Sequence, residues 1–338
     1  MTLEVVDNLD ALKALEPEWL QLFNRVPDTT PFQHARWMLT WWAHFGSGRL
    51  HVLSFCKGSR IDAILPCFLH EWEGRRQLTL IGTGVSDYLD PLIDVEQSKP
   101  FVKALRGYLE HNGGWDICNW QDLSSATPLG ELKMASVSPD TPCSAIPLTG
   151  SFEQLWHSRS KDMRRNLRRY SERAKSMGPV EFEVSGAVGK EWLDGLVQLH
   201  AARWERQGET GMIAANRSEA FLREVASEFA ALGQLRFFGI RFKGKIAALV
   251  LTFIHNNQVF SYMSAFDPEY EILGFGRTLL YEAIQYSYQN GYSTWNFLRG
   301  EEPYKFSWGA QSIPKCRIIL HRHTGSSSLA PSVPHQSV

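Results

Sequence analysis

The densest group of reactive side chains in the sequence is the run Arg299-Gly300-Glu301-Glu302-Pro303-Tyr304-Lys305-Phe306-Ser307-Trp308, directly after the alternating apolar stretch Thr294 to Leu298. Mixed α/β folds place their sites at strand ends. Arg299 or Lys305 could stabilise charge developing on a carbonyl or phosphate, and Glu302 could take a proton from an attacking amine. The competing reading makes Tyr304 and Trp308 packing anchors and pairs Arg299 with Glu302. A second group is Gly274-Phe275-Gly276-Arg277 at the start of an expected helix. Glycines let the backbone come close to a ligand, and the unbonded N–H groups of a helix start favour a phosphate, although glycines there also serve simple turns. Asp267, just after the strand expected to end at Phe266, is a further candidate for substrate contact.

The third group is electrostatic. Eight Lys and Arg stand against Asp162 and Glu172 between Arg159 and Lys175, a local charge of +6 in a chain whose total is −1. Arg164 and Arg168, one helical turn apart, could fork onto a phosphorylated carrier, a nucleotide-sugar or an RNA, with Asn166 adding a hydrogen bond. A solvated basic face over a narrow apolar stripe explains the same composition. Asp87 and Asp90 flank Tyr88 in a loop, where they bind substrate or cap a turn. Trp37, Trp41 and Trp42 read as packing before they read as a sugar-stacking surface, and His200 reads as a structural histidine.

Positioning these groups requires a mixed α/β architecture. Helices are expected at 10–25, 33–45, 100–109, from Ser158 or Ser160 to Met177, at 190–204, after Asn216 with Glu219 as a capping box, and at 276–290. Strands are expected at 50–55, 61–69, 77–81, 89–93, 115–120, 143–146, 235–242, 246–255, 259–266, 294–298 and 317–321. Two of these regions echo each other. Leu50-His51-Val52-Leu53-Ser54-Phe55-Cys56-Lys57-Gly58 parallels Leu235-Arg236-Phe237-Phe238-Gly239-Ile240-Arg241-Phe242-Lys243-Gly244 with one insertion, and each is followed by a second strand, a third strand, a helix and a further strand. That order points to a duplication with halves 1–149 and 150–323. The Ser- and Pro-rich stretch 324–338 is expected to be a disordered tail.

Composition narrows the function. The net charge gives no global pull towards DNA or membrane. No apolar run reaches the roughly 20 residues of a spanning helix, and the start of the sequence has no leader pattern, so a cytoplasmic location is expected. Five cysteines, an odd number without CxxC pairing and each in or beside an apolar run, read as buried thiols. No HxxxH or HExxH pair is present, and no metal is expected.

With these motifs in hand, the chain resembles the GNAT superfamily of acyltransferases. Its loop is similar to the family's (Gln/Arg)-x-x-Gly-x-(Gly/Ala) pyrophosphate loop, but Glu271 stands where the family has Gln or Arg. The duplication resembles the FemABX transferases, and the chain looks most like the acetyltransferase-like CelD/BcsL proteins of cellulose or polysaccharide biosynthesis. That last resemblance rests on Pro31-Phe32-Gln33 with Trp37 and Trp41-Trp42, on Ser86 to Asp90, Arg164 to Arg169, Leu199 to Trp204 and Phe297 to Gly309. It implies a tandem GNAT fold with a degenerate first half, acyl-CoA (acetyl-CoA) as cosubstrate at Gly274 to Arg277, and Tyr304 as the acid for a leaving thiolate. It also implies transfer to an amine or hydroxyl of a sugar-containing or cell-envelope precursor, in contact with a polysaccharide synthesis assembly. Two alternatives stay open: an aminoacyl-tRNA donor, which the basic helix would suit, and a non-catalytic scaffold docking through that helix.

Overall fold

The computed structural model describes residues 1–207 and 216–322. The first half contains β1 (Thr2–Val6), α1 (Leu9–Ala14), α2 (Glu16–Arg25), α3 (Ala35–Phe45), β2 (Arg49–Leu50), β3 (Val52–Lys57), β4 (Arg60–Leu65), β5 (Cys67–Trp72) and β6 (Arg75–Leu80). It continues with β7 (Leu92–Ile93), α4 (Ser98–His111), β8 (Ile117–Ser124) and β9 (Ala135–Pro147). Then α5 (Phe152–Ser158) and α6 (Lys161–Met177) cross to the second half. That half comprises β10 (Val180–Ser185), α7 (Lys190–Gln207), α8 (Asn216–Ala231), β11 (Leu235–Phe242), β12 (Lys245–His255), β13 (Gln258–Phe266), α9 (Phe275–Gln289), β14 (Thr294–Arg299), α10 (Pro303–Ser307) and β15 (Gln311–His321). The expected tail at 324–338 lies outside the described residues.

Local chemistry explains where these boundaries differ from expectation. The helix expected over 10–25 is two helices, because Pro17 at the start of α2 cannot donate into a continuous ladder. The strand expected at 89–93 shrinks to Leu92–Ile93. Pro91 has no N–H, and Leu89 donates sideways to the Asp122 carbonyl. The outer strands β1 and β10 were not anticipated, although Val180, Phe182 and Val184 alternate with Glu181 and Ser185 in the manner of a half-buried strand.

The echo between the halves is structural. Strand β3 pairs with β4 around a tight turn at Gly58, and β11 pairs with β12 around Lys243-Gly244, each hairpin carrying one register shift. Outer strands β1 and β10 pair antiparallel to β3 and β11. The copies differ at one joint. Where β12 runs unbroken for 11 residues, its counterpart is cut at Pro66 into β4 and β5, so the first half divides between a four-stranded sheet and the large one. The helix pair α5–α6 has no counterpart in the first half.

Among the described residues the large sheet has eleven strands in the order β10-β11-β12-β13-β14-β9-β15-β8-β6-β5-β2. Its centre is interleaved. Strand β9 of the first half pairs with β14 and β15 of the second, while β15 lies between β8 and β9. One apolar cluster fills the first half and crosses the seam to α7 and α8. Another, from Ile146 to Ala310, lies between the opposite face of the second-half sheet and the helices α5, α6 and α9.

Candidate functional site

The second-half sheet opens along one line. Parallel strands β13 and β14 share three rungs, Gln258 with Thr294, Val259 with Trp295 and Phe260 with Asn296, and then separate although both continue. A register shift opposite Leu251 and Thr252 bends β13 at this point. Past these rungs the two strands are no longer paired with each other and leave a wedge between them; the glycine-bearing segment follows the end of β13 and the carboxylate-bearing segment the end of β14.

On the β13 side, Gly274 sits in the left-handed region (φ 63°) as the cap of α9. Its N–H goes to the Glu271 carbonyl, while the N–H groups of Arg277 and Thr278 both go to the Gly274 carbonyl. Phe275 and Gly276 therefore supply the helix-start donors that have no partner within the helix. Helix α6 flanks them. A side chain at Gly274 would meet the ring of Tyr170 at 2.7 Å, and Arg277 donates to the Tyr170 hydroxyl at 3.0 Å and lies over its ring. Arg173 reaches the Ile272 carbonyl. Two guanidinium groups thus border the loop that also holds Glu271. Asp267 accepts from the Glu269 N–H at 2.9 Å through one carboxylate oxygen and caps the turn before the loop.

On the β14 side, Lys305 is buried. Its ammonium donates to the carbonyls of Arg299 (2.6 Å) and Gly300 (3.2 Å), touches that of Leu298 and pairs with Glu302 at 2.8 Å. Four acceptors for three protons make it the clasp of a strand end where Leu298 has φ 63°, and leave it nothing for a reacting carbonyl. Trp308 also departs from expectation: it is buried against Trp156 and Tyr281, in the core rather than facing a substrate. Tyr304 is about half exposed with its ring edge-on to Phe297. Glu302 is exposed beside it.

Helix α6 spans both sides. Arg159, just ahead of it, reaches the Ser307 carbonyl, Tyr170 covers Gly274, and Gly178 at its end packs on Lys243. Ser160 caps its start through the Met163 N–H. Arg164 is half-buried with its Nε enclosed and without a hydrogen-bond partner among the described residues, Asn166 is half-buried, and Arg168 is exposed.

The other face of the wedge carries a network that sequence reasoning found only in part. Arg299 pairs with Asp87 (3.1 Å) and Asp122 (2.9 Å) and donates to the Ser86 carbonyl, so its partners are not Glu302. Asp140 accepts the Asp122 N–H. Burial pushes the Asp122 carboxyl up to about 6 against the pull of Arg299, with Asp87 and Asp140 adding to the rise. Tyr88 accepts from Asn296 at 2.8 Å, Trp37 donates to Ser86, and Tyr262 donates to the Val85 carbonyl. Asp90 accepts the Ser124 N–H with both oxygens, with buried Lys315 at 3.8 Å. The loop 86–90 thereby runs along the end of β8 and fills the first-half counterpart of the wedge. Asp122, Asn296 and Lys315 were missed in the sequence; the available signal for the first was a carboxylate in register with the apolar positions Cys118 and Trp120 of the alternating strand Ile117–Ser124. Trp37 and Trp41 are buried, and Trp42 packs on Phe68, which makes them packing residues.

Replacing Arg299 by Met would leave Asp122 and Asp87 uncompensated in a poorly hydrated seam. We expect a loss of about 3 kcal/mol, the low end for breaking a buried pair because a third of the Arg299 side chain meets water. Urea denaturation measures it, and adding Asp122→Asn should restore part of the loss. An unchanged midpoint in the single variant would show that the network carries no stability.

Among the described residues no cluster of His, Cys, Asp and Glu could hold a metal, and no helix is long and apolar enough to cross a membrane. All five cysteines are buried and unpaired. Residues 161–306 match the family model described as Acetyltransferase (GNAT) domain. The structure is similar to a crystal structure of FemX, with TM-score 0.66 and 10% identity over 94% of this chain and 97% of that one. It is also similar to the structure of L-PGS from Bacillus licheniformis (0.58, 12%, covering 89% and 90%). A third likeness is to the C-terminal domain of a putative lysylphosphatidylglycerol synthetase from Agrobacterium fabrum (0.56, 12%, covering 91% and 92%). No curated protein matches the sequence. The mixed α/β sheet with its repeated unit is a tandem GNAT fold.

Proposed function

We propose that the chain is a GNAT-type acyltransferase that moves an acyl group from acyl-CoA to an amine or hydroxyl of a sugar-containing or cell-envelope precursor, with the reaction in the wedge between β13 and β14. The observation that carries this reading is the three-rung separation of those strands with α9 starting at Gly274 on its rim. The free N–H groups of Phe275 and Gly276, with Arg277 and Arg173 beside them, suit a pyrophosphate. The acceptor nitrogen attacks the thioester carbonyl, main-chain N–H groups in the wedge stabilise the oxyanion, and the carbon–sulfur bond breaks. Tyr304 is the candidate proton donor to the departing thiolate and Glu302 the candidate acceptor of the amine proton. Lys305 positions both by fixing the strand end. In this reading Asp87 and Arg299 serve the acceptor side, while Arg164, Asn166 and Arg168 meet a phosphate on the carrier.

Glu271 favours a second reading, in which the donor is aminoacyl-tRNA, because a carboxylate on the loop opposes a pyrophosphate. Calorimetric titration with acetyl-CoA separates the two. We expect saturable binding, weakened about tenfold or more in Gly276→Glu, which puts a negative charge onto the helix-start donors. Absence of binding by acetyl-CoA and a longer acyl-CoA would remove the acyl-CoA reading.

A further inference from the structure

Each strand bordering the wedge is bent by one extra residue, and both bends are tied to the same loop of the first half. In β13 the extra residue is Tyr262, since Ser261 stands opposite Thr252 and Met263 opposite Leu251. Its hydroxyl donates to the Val85 carbonyl at 2.9 Å. In β14 the extra residue is Phe297, since Asn296 stands opposite Ala145 and Leu298 opposite Ser144. Asn296 ties this bend together: its Oδ1 accepts the Leu298 N–H at 2.9 Å, and its amide donates to the Tyr88 hydroxyl at 2.8 Å. Leu298 is thereby held left-handed (φ 63°) inside a strand, a conformation that an aliphatic residue keeps only when its surroundings over-determine it. Alternation breaks there. Leu298 and Arg299, though consecutive, both turn towards the first half, Leu298 into its apolar cluster and Arg299 onto the Ser86 carbonyl and Asp87. The loop itself is anchored: Ser86 is fully buried and takes the Trp37 indole N–H, the Tyr88 ring lies against Phe32, and Leu89 donates to the Asp122 carbonyl.

With the reaction in the wedge as proposed above, we infer that residues 85–88 are a brace that sets the width of that wedge, and that Tyr262, Asn296 and Tyr88 are positioning residues for the reaction. They act through the main chain, by fixing where the two strand edges lie. The thioester arm must fit between those edges. The last shared rung, Phe260 with Asn296, is the point at which the brace takes over from the sheet. Without it, β14 regains an extended Leu298 and pairs further with β13, at the expense of the wedge. The first half, whose helix α4 starts without a glycine, is on this inference needed for the chemistry of the second.

The test compares the native chain with two variants. Asn296→Leu removes both bonds of the carboxamide and keeps a side chain of similar size; Tyr88→Phe with Tyr262→Phe removes the two hydroxyls and keeps their packing. Crystal structures read the brace without any ligand. In Asn296→Leu we expect Leu298 at negative φ and at least one further hydrogen-bonded rung between β13 and β14. A left-handed Leu298 beside an unchanged wedge would overturn the inference. Calorimetric titration reads the consequence. Acetyl-CoA should bind both variants about tenfold more weakly, the worth of one or two hydrogen bonds. The 3′-phosphate of ADP, which keeps the CoA pyrophosphate and lacks the arm, should bind all three proteins alike. Equal weakening of the two ligands, or acetyl-CoA binding unchanged in both variants, would also overturn the inference. A native chain that does not bind acetyl-CoA removes the acyl-CoA reading instead, and the crystal structures then decide the brace by themselves. Thermal melts identify a variant that fails to fold; should Asn296→Leu do so, the paired Phe variant is crystallised in its place, with a displaced β13 or β14 edge as the expected result and an unmoved pair of edges as the contrary one.

Discussion

Separated fragments 1–149 and 150–338 should each fail to fold, whereas the two produced together should form a one-to-one complex. Strand β9 has its partners β14 and β15 in the other fragment, and β8 loses β15 from its side. Each fragment alone would expose long apolar strand edges at the middle of the sheet, the configuration most prone to aggregation. The seam is further joined by His255 to Thr29 at 2.8 Å and by the Phe23 ring against His255. Solubility and a calorimetric melt of each fragment decide the matter. A cooperative transition in either fragment by itself would show that its unit is self-sufficient despite the exchange.

Acidification should unfold the protein between pH 6.5 and 4. Burial holds His34, His51 and His255 down at about 4, from an ordinary 6.5, with Arg36 and Arg49 adding to the effect at the first two. A histidine depressed in the folded state binds fewer protons there than in the unfolded chain, so its contribution is complete above 6.5 and is lost as pH falls to 4. Each contributes about 3 kcal/mol on that scale, and three together rival the roughly 5–15 kcal/mol of a typical domain. Asp122 works in the opposite direction: its carboxyl, raised from 3.8 to about 6, makes the folded state less stable as pH rises through that interval. Urea midpoints measured from pH 7.5 to 4 should therefore fall steeply. His255→Gln should flatten the fall, and Asp122→Asn should steepen it. A flat profile in the native chain would mean that the three histidines are protonated without opening the fold.

Much of the second half was legible in the sequence because its elements follow single periodicities. Strands 235–242, 246–255 and 259–266 alternate around glycine and asparagine turns, and α6 shows an apolar stripe with Ser160 at its cap and Gly178 at its end. The hairpin echo could be read for the same reason. What could not be read is the exchange of strands, since pairing between residues near 140 and 315 leaves no mark in either segment alone. The site suffered accordingly. Arg299, Glu302, Tyr304 and Lys305 are consecutive enough to be noticed together, but whether Lys305 faces a substrate or its own carbonyls depends on how Leu298 to Gly300 turns. Asp122 and Lys315 join Asp87, Asp90 and Arg299 only through the interleaved centre. Trp308 was ambiguous because the same indole suits a sugar face or a core, and burial decides between them.

The place of β15 has a consequence for how the chain is made. Synthesis delivers β8 and β9 long before Gln311–His321 leaves the ribosome, and at roughly 5–20 residues per second the wait is on the order of ten to thirty seconds. During that interval the N-terminal unit stands with its middle strand position vacant. A nascent chain in this state is a client for chaperones, and the speed at which a cell translates residues 148 to 321 sets how long it must be protected.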